Sequence, residues 1–309
     1  MRKFIVNWCA VNVPAATVVN DNGNLFITKG DAENYPCVVA HLDQVQNVHS
    51  SDFAVIESGG VLFGYSAANK RQEGLGADDK NGIFIALKCL QRYDDIKVAL
   101  FRGEEVGTVG SSECKLDFFE NCRYLTQCDR RGASDMITNI SGGQICSDEF
   151  IKNVNAANFG YTPASGMLTD VATLSDRGVN LSCINLSCGY YKPHTDEECT
   201  VIADLINCYN FVCWIIENLQ SVYPYTPEVA KIDTYNYSYD WRGNYFDWYD
   251  SYYHNDNDIT DYEIENTIID ILSDDQNITF NEMWQRYNDY FGCNKARAKR
   301  IYNDVKSFY

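Results

Sequence analysis

The sequence predicts an α/β fold: a central mixed, largely parallel sheet with helices on both faces, followed by a small C-terminal helical appendage. Three observations carry this expectation. Short apolar runs alternate with helix-spaced segments over residues 1–222. Composition then changes abruptly to Tyr, Asn and Asp, and helical periodicity returns from residue 262 onward. Strands alternating with helices imply a sheet covered on both faces.

In chain order, Asp21-Asn22-Gly23-Asn24-Leu25 reads as an early hairpin turn. Residues 36–40 form a short valine-bearing apolar run, as a buried strand requires. Comparable strands are expected at 96–101, 122–128 and 179–186. Between the first two, Ile83, Phe84, Leu87, Cys89 and Leu90 fall near helical spacing and predict a helix over 79–93. A long helical pattern over 199–219 closes this region, read as a catalytic domain over 1–222. Residues 223–261 read as an acidic, aromatic-bearing connector with few aliphatic side chains. Residues 262–309 read as a three-helix appendage: Ile264, Ile268, Ile269 and Leu272 mark one stripe, Phe280, Met283, Trp284 and Tyr287 a second, and Ala296, Ile301 and Val305 a third. Gly292 breaks the chain before the last helix, whose Lys295, Arg297, Lys299 and Arg300 read as a solvated face rather than a nucleic-acid contact.

An apolar fraction of 45% suits a chain that buries a real core. A formal net charge of −18 disfavours nucleic acid, because phosphate backbones would be repelled. No run approaches the roughly 20 apolar residues of a membrane span, and no secretory leader is read, since Asn7 interrupts the short run Phe4-Ile5-Val6. The 13 cysteines form no Cys-x-x-Cys pair and several lie in apolar runs, so they read as small hydrophobes in a reducing cytoplasm. Oligomeric state is left open.

The informative fact is where acidic residues and histidines fall. His41-Leu42-Asp43 follows the first expected strand, Glu104-Glu105 the second and Asp129 the third. His194 follows the fourth through a turn containing Gly189 and Pro193, and Gly76-Ala77-Asp78-Asp79 leads into a helix. Open α/β sheets bind ligands at the carboxyl ends of their strands. Asp79 aside, as the helix cap, five carboxylates and two imidazoles gathered there would repel and desolvate badly without cations. Mixed His and carboxylate donors suit zinc, and seven such groups exceed the needs of one catalytic ion. Two divalent ions are therefore expected, as zinc, with cobalt or manganese undistinguished.

The strings HLD, GLGADDKNG, EEVGTVGS, CDRRG and GYYKPHT resemble the ordered motifs of the co-catalytic zinc exopeptidase superfamily, which includes peptidase T and the single-domain zinc aminopeptidases. The resemblance spans about residues 17–219 and implies that superfamily's phosphorylase/hydrolase-like fold. Carried over by motif, it implies that His41 and Asp129 hold one ion, Glu105 and His194 the other, and Asp78 both. Asp43 is expected to accept the second ring N–H of His41 and so fix its tautomer. Glu104, beside a ligand, is expected to act as general base toward water attacking a peptide carbonyl.

Other residues carry paired expectations. Asp79 is read as the cap of the following helix. Tyr190 and Tyr191 offer a phenol to an oxyanion or simply pack. Arg130 and Arg131 meet a substrate carboxylate or, by preference, neutralise nearby aspartates. Asp170, placed in a loop, is a candidate for a substrate ammonium, and His49 and His254 are read as surface or packing residues. Only 64 residues separate Asp129 from His194, which leaves no room for the extra lid domain of peptidase T. The leading expectation is an aminopeptidase acting on short peptides. A carboxypeptidase or amidohydrolase with the same metals, and a binding protein that keeps the fold without the reaction, are the alternatives.

Overall fold

The computed structural model describes residues 1–45, 49–140, 143–227, 268, 278–287 and 295–306. Packing divides the chain into two units, Met1–Lys231 and Ile232–Tyr309. In the first unit, in chain order, are α1 (Arg2–Asn12), β1 (Thr17–Asp21), β2 (Asn24–Lys29), β3 (Tyr35–His41), β4 (Phe53–Ser58), β5 (Val61–Ser66) and β6 (Arg71–Glu73). Next come α2 (Ala77–Arg92), β7 (Ile96–Phe101), α3 (Val109–Glu113), β8 (Cys122–Arg130), β9 (Asp135–Ile140), β10 (Gly143–Gln144) and α4 (Asp148–Asn153). The unit continues through β11 (Thr162–Gly166), α5 (Asp170–Asp176), β12 (Cys183–Ser187), β13 (Tyr190–Tyr191), β14 (Cys199–Val201) and α6 (Ile202–Asn218).

The four strands expected from apolar runs are the parallel centre of the main sheet. Among the described residues that sheet runs β1-β2-β7-β3-β8-β12-β9-β10, with β11 on β9. The pairs β7/β3, β3/β8 and β8/β12 are parallel, while β2/β7 and β12/β9 are antiparallel. All seven residues of β3 and all six of β7 are buried, which explains their continuous apolar character. Alternation sorts their side chains into two cores. Val38, Ala40, Val98 and Leu100 join α2 and α6, whereas Cys37, Val39, Ala99 and Phe101 join Val171 and Leu174 of α5. Truncating Phe101 to Ala would cost about 3–5 kcal/mol. The segment between Asp129 and His194 supplies β9 to β12 of this sheet.

The early turn is a β1–β2 hairpin in which Asp21 faces Asn24. Asn22 and Gly23 take φ of 47° and 87°, the left-handed pair that a two-residue hairpin loop demands. A second, antiparallel sheet, β13-β14-β5-β4 with β6 on β5, has no counterpart in the sequence reading. Its strand β4 is almost wholly exposed, so no buried apolar face signals it. Residues 223–227, expected to open the connector, pack on the first unit. The Tyr223 ring meets Phe150 and Tyr124, and its backbone bonds to Ser182 and Arg123.

In the second unit, α7 (Phe280–Tyr287) and α8 (Lys295–Lys306) share a core of Ile268, Ile278, Phe280, Met283, Ala298, Ile301, Tyr302 and Val305. Thr279 and Glu282 form a capping box at the start of α7. Lys295 lies over the Phe280 and Trp284 rings, and Lys299 over Phe280. Most of the connector, Ile264, Ile269, Leu272, Gly292 and His254 lie outside the described residues. No described helix is long and apolar enough to cross a membrane.

Candidate metal centre

Parallel register brings the carboxyl ends of β3, β7 and β8 to one edge, with His41 opposite Phe101 and Val39 opposite Gln127. His41 is therefore the last residue of a buried strand, with no exposed surface. Its Nε2 lies 3.0 Å from Asp78 Oδ1 and 3.6 Å from Asp129 Oδ1. Asp78 sits at the head of α2, where it and Asp79 depart from helical geometry. The second Asp78 oxygen, Oδ2, lies 3.3 Å from His194 Nε2, which is also 3.0 Å from Glu105 Oε1. One carboxylate thus faces both imidazoles with separate oxygens.

The other acidic residues have distinct surroundings. Asp79 accepts from Gly82 N through Oδ1 (2.9 Å) and from His41 N through Oδ2 (3.1 Å), so it caps the regular part of α2 as its position suggested. It also lies close enough to His41 and Asp129 to share a cation. Its oxygens are engaged by backbone amides, however, while those of Asp78 are aimed at imidazoles, which favours Asp78 as the shared ligand. Asp43 Oδ1 lies 3.6 Å from His41 Nδ1, the expected ring nitrogen but beyond hydrogen-bond length. Its carboxylate accepts instead from the backbone amides of Glu104 and Glu105, both at 3.2 Å. Asp43 therefore positions the glutamate pair as well as facing His41.

Asp129 is fixed from three directions. Gln127 Nε2 donates to Oδ2 at 3.0 Å, Tyr190 Oη to Oδ1 at 3.3 Å, and Asn185 brackets its backbone at 2.8 and 2.9 Å. Gln127 is itself held by Thr169 Oγ1 and Val171 N. A fully buried residue, Glu198, accepts from Gly76 N and from Asp78 N (3.0 Å). The sequence reading missed Gln127, Asn185 and Glu198. The first two had a signal, since each is a polar residue inside an apolar strand and such groups need partners. Nothing in the Glu197-Glu198 pair told which carboxylate turns inward.

Two further expectations change, and two hold. Tyr191 donates to Asp204 Oδ2 on α6 at 2.7 Å and does not join Tyr190 at the cluster. Asp170 heads α5 rather than lying in a loop, has no exposed surface, and accepts from Ser111 Oγ through Oδ1. That burial removes the open approach a substrate ammonium would need. Arg130 pairs with Asp135 at 3.3 Å, the neutralising role preferred for it. His49 stacks on Phe53 and bonds to Gly74 O, as a packing residue does.

Electrostatics describe a site short of positive charge. Among the described residues, no Lys or Arg pairs with Asp43, Asp78, Asp79, Glu104, Glu105 or Asp129. Burial pulls the His41 imidazole down, yet Asp129, Asp43 and Asp78 outweigh it and hold the group well above its ordinary value. Hydrogen bonds to Asp78 and Glu105 raise His194 to about 10. Burial, against the opposing pull of His41 and with Asp78 adding to the rise, lifts Asp129 to about 7, whereas burial of Asp78 is outweighed by His194 and His41, which lower it. Burial, then Asp129, Asp170 and Glu105, hold Glu104 well above the carboxylate range. The surrounding carboxylates thus favour positive charge at both imidazoles. The buried His41 Nδ1 has no hydrogen-bond partner, and two donor groups, His41/Asp79/Asp129 and His41/Asp78/Glu105, have ligand atoms within 4.8 Å of one another. Hard oxygen and imidazole donors at this spacing fit divalent ions of the zinc class.

No protein-family model matches the chain, and no curated protein matches it. Solved structures do. The chain is similar to aminopeptidase PepT from Bacillus cereus, at TM-score 0.55 and 15% identity over 70% of this chain and 94% of that one. A tripeptidase from Staphylococcus aureus gives 0.55 and 16% over 70% and 91%. An aminopeptidase from the archaeon Desulfurococcus kamchatkensis gives 0.50 and 15% over 72% and 91%. At these identities the likeness establishes the fold: the mixed, largely parallel sheet with flanking helices is that of these peptidases.

Proposed function

We propose that the chain is a metal-dependent exopeptidase, an aminopeptidase acting on short peptides. One observation carries the reading: Asp78 directs its two oxygens at Nε2 of His41 (3.0 Å) and Nε2 of His194 (3.3 Å). On this reading His41 and Asp129 hold one divalent ion, Glu105 and His194 a second, and Asp78 both, zinc being the expected metal. Such ions, when bound, acidify water and polarise a carbonyl. The chain's own residues do the rest. Glu104, adjacent in sequence to Glu105, accepts a proton from the water attacking the scissile carbonyl. It then delivers that proton to the departing amine nitrogen. Asp43 holds the Glu104 and Glu105 amides, so base and ligand keep a fixed separation. The described cysteines are free thiols, nearly all buried, which supports a reducing compartment such as the cytoplasm.

The test pairs free and N-acetylated di- and tripeptides with zinc-loaded and chelator-stripped protein. Release of N-terminal residues from free peptides alone, abolished by chelation, is expected. Cleavage of the acetylated series would move the reading to a carboxypeptidase or amidohydrolase. No cleavage with two ions bound would leave a binding protein on a peptidase fold.

A further inference from the structure

The turn joining β13 to β14 carries two functional side chains of opposite character. His194 stands at φ +63° with its side chain 46% exposed, and four residues later Glu198 is fully buried. A carboxylate without exposure is expensive unless hydrogen-bonded. Glu198 meets that need with the Gly76 and Asp78 amides, at the turn that leads into α2. The remaining bonds of the His194 turn are local: Thr195 Oγ1 donates to Lys192 O, Glu197 N donates to Thr195 Oγ1, and Lys192 pairs with Glu197 at the surface. Apart from the imidazole itself, Glu198 is the side chain between Lys192 and Glu198 that ties this turn to the Asp78 turn, among the described residues. Gly76 at φ +64° leaves no space for bracing from its own side, since a Cβ there would strike Gln44 and Lys80.

We propose that Glu198 is a positioning residue: by gripping the Gly76 and Asp78 amides it sets the spacing between Asp78 and His194, and so the affinity of the half-site formed by Asp78, Glu105 and His194. This rests on the metal-centre reading. Glu198 touches neither metal nor substrate. Its carboxylate fixes the backbone from which one ligand projects, while its own turn carries another.

Zinc titration of the chelator-stripped full chain, against a competing chromophoric chelator, tests this in wild type and Glu198→Gln. Glutamine keeps the volume and one acceptor but turns an N–H₂ toward the other amide. Wild type is expected to take two ions. Glu198→Gln should hold one ion as wild type does and the other about 10–100-fold more weakly. Amide exchange at Gly76 and Asp78 should quicken, and peptide turnover should recover when zinc is raised to saturation, which a merely structural defect would not allow. Two ions held at wild-type affinity in Glu198→Gln would overturn the proposal. If that variant does not fold, Glu198→Asp, which keeps the charge and shortens the reach, is read by the same titration with the same two outcomes. A wild-type protein that binds fewer than two ions would instead sink the metal-centre reading itself.

Discussion

His41 and His194 face the same carboxylate from different kinds of backbone. His41 closes a strand buried along its whole length, and the sheet register alone places it. His194 sits in a turn in the left-handed region, which a non-glycine residue enters at a cost of about 1–2 kcal/mol. Its side chain is half exposed. One half of the centre is thus built by tertiary packing and the other by local hydrogen bonds. The first should be rigid and coupled to folding, the second adjustable and coupled to its turn.

The largest effect should come from the proposed base. Glu104→Gln is expected to lower kcat by about 10²–10⁴ while zinc content stays at two ions per chain. Measured by steady-state kinetics beside metal analysis, a loss of zinc in this variant would make Glu104 a ligand rather than the base. The contrast itself is tested by His41→Ala against His194→Ala. Removing His41 takes a buried imidazole partner from both Asp78 and Asp129, so the stripped protein should lose about 3–5 kcal/mol in denaturant unfolding. His194→Ala, at a half-exposed side chain, should destabilise the stripped protein less than His41→Ala does and cost only one ion. Equal destabilisation by the two changes would erase that distinction.

The two halves also differ in how far the sequence revealed them. His41, Glu105 and Asp129 were legible because continuous apolar runs locate buried parallel strands, and the residue after such a run lies at the sheet's carboxyl edge. Asp78 and His194 follow no such run directly, and resemblance to motif strings was needed to name their roles. The supporting residues were mostly illegible. Asp43 bonds to the Glu104 and Glu105 amides, and Glu198 to the Gly76 and Asp78 amides, and such long-range contacts leave no local pattern. The second sheet escaped for the opposite reason, since exposed β4 carries no buried stripe. Asp170 was misplaced because Thr169-Asp170 looks like a turn, whereas it opens a short helix against the core.

A smaller effect on the buried side concerns Asp170, whose Oδ2 is buried without a partner and whose pKa burial raises to about 7. Since the folded value exceeds the unfolded one, near 3.8, the stability it contributes is complete below about pH 4 and lost as pH rises through about 7. Asp170→Asn cannot ionise and keeps an acceptor for Ser111. Stripped variant and wild type should therefore be close at pH 4, with the variant ahead by a few kcal/mol at pH 8. A difference independent of pH, read by denaturant unfolding, would show that Asp170 does not carry this charge.

The smallest effect asks whether the halves are separable. Tyr190 belongs to the hairpin that leads to His194, yet its phenol donates to Asp129, the proposed ligand on the His41 side. The bond is long, 3.3 Å, and its loss should cost about 1 kcal/mol. Tyr190→Phe is then expected to weaken the proposed His41-side ion by less than about tenfold and to leave the other unchanged. Tyr191→Phe, whose phenol bonds to Asp204, should move neither. A fall in kcat with both zinc affinities intact would instead place the Tyr190 phenol on the substrate. Weakening of the His194-side ion alone would mean that the hairpin transmits strain across the centre, and the division into a strand-built and a turn-built half would have to be given up.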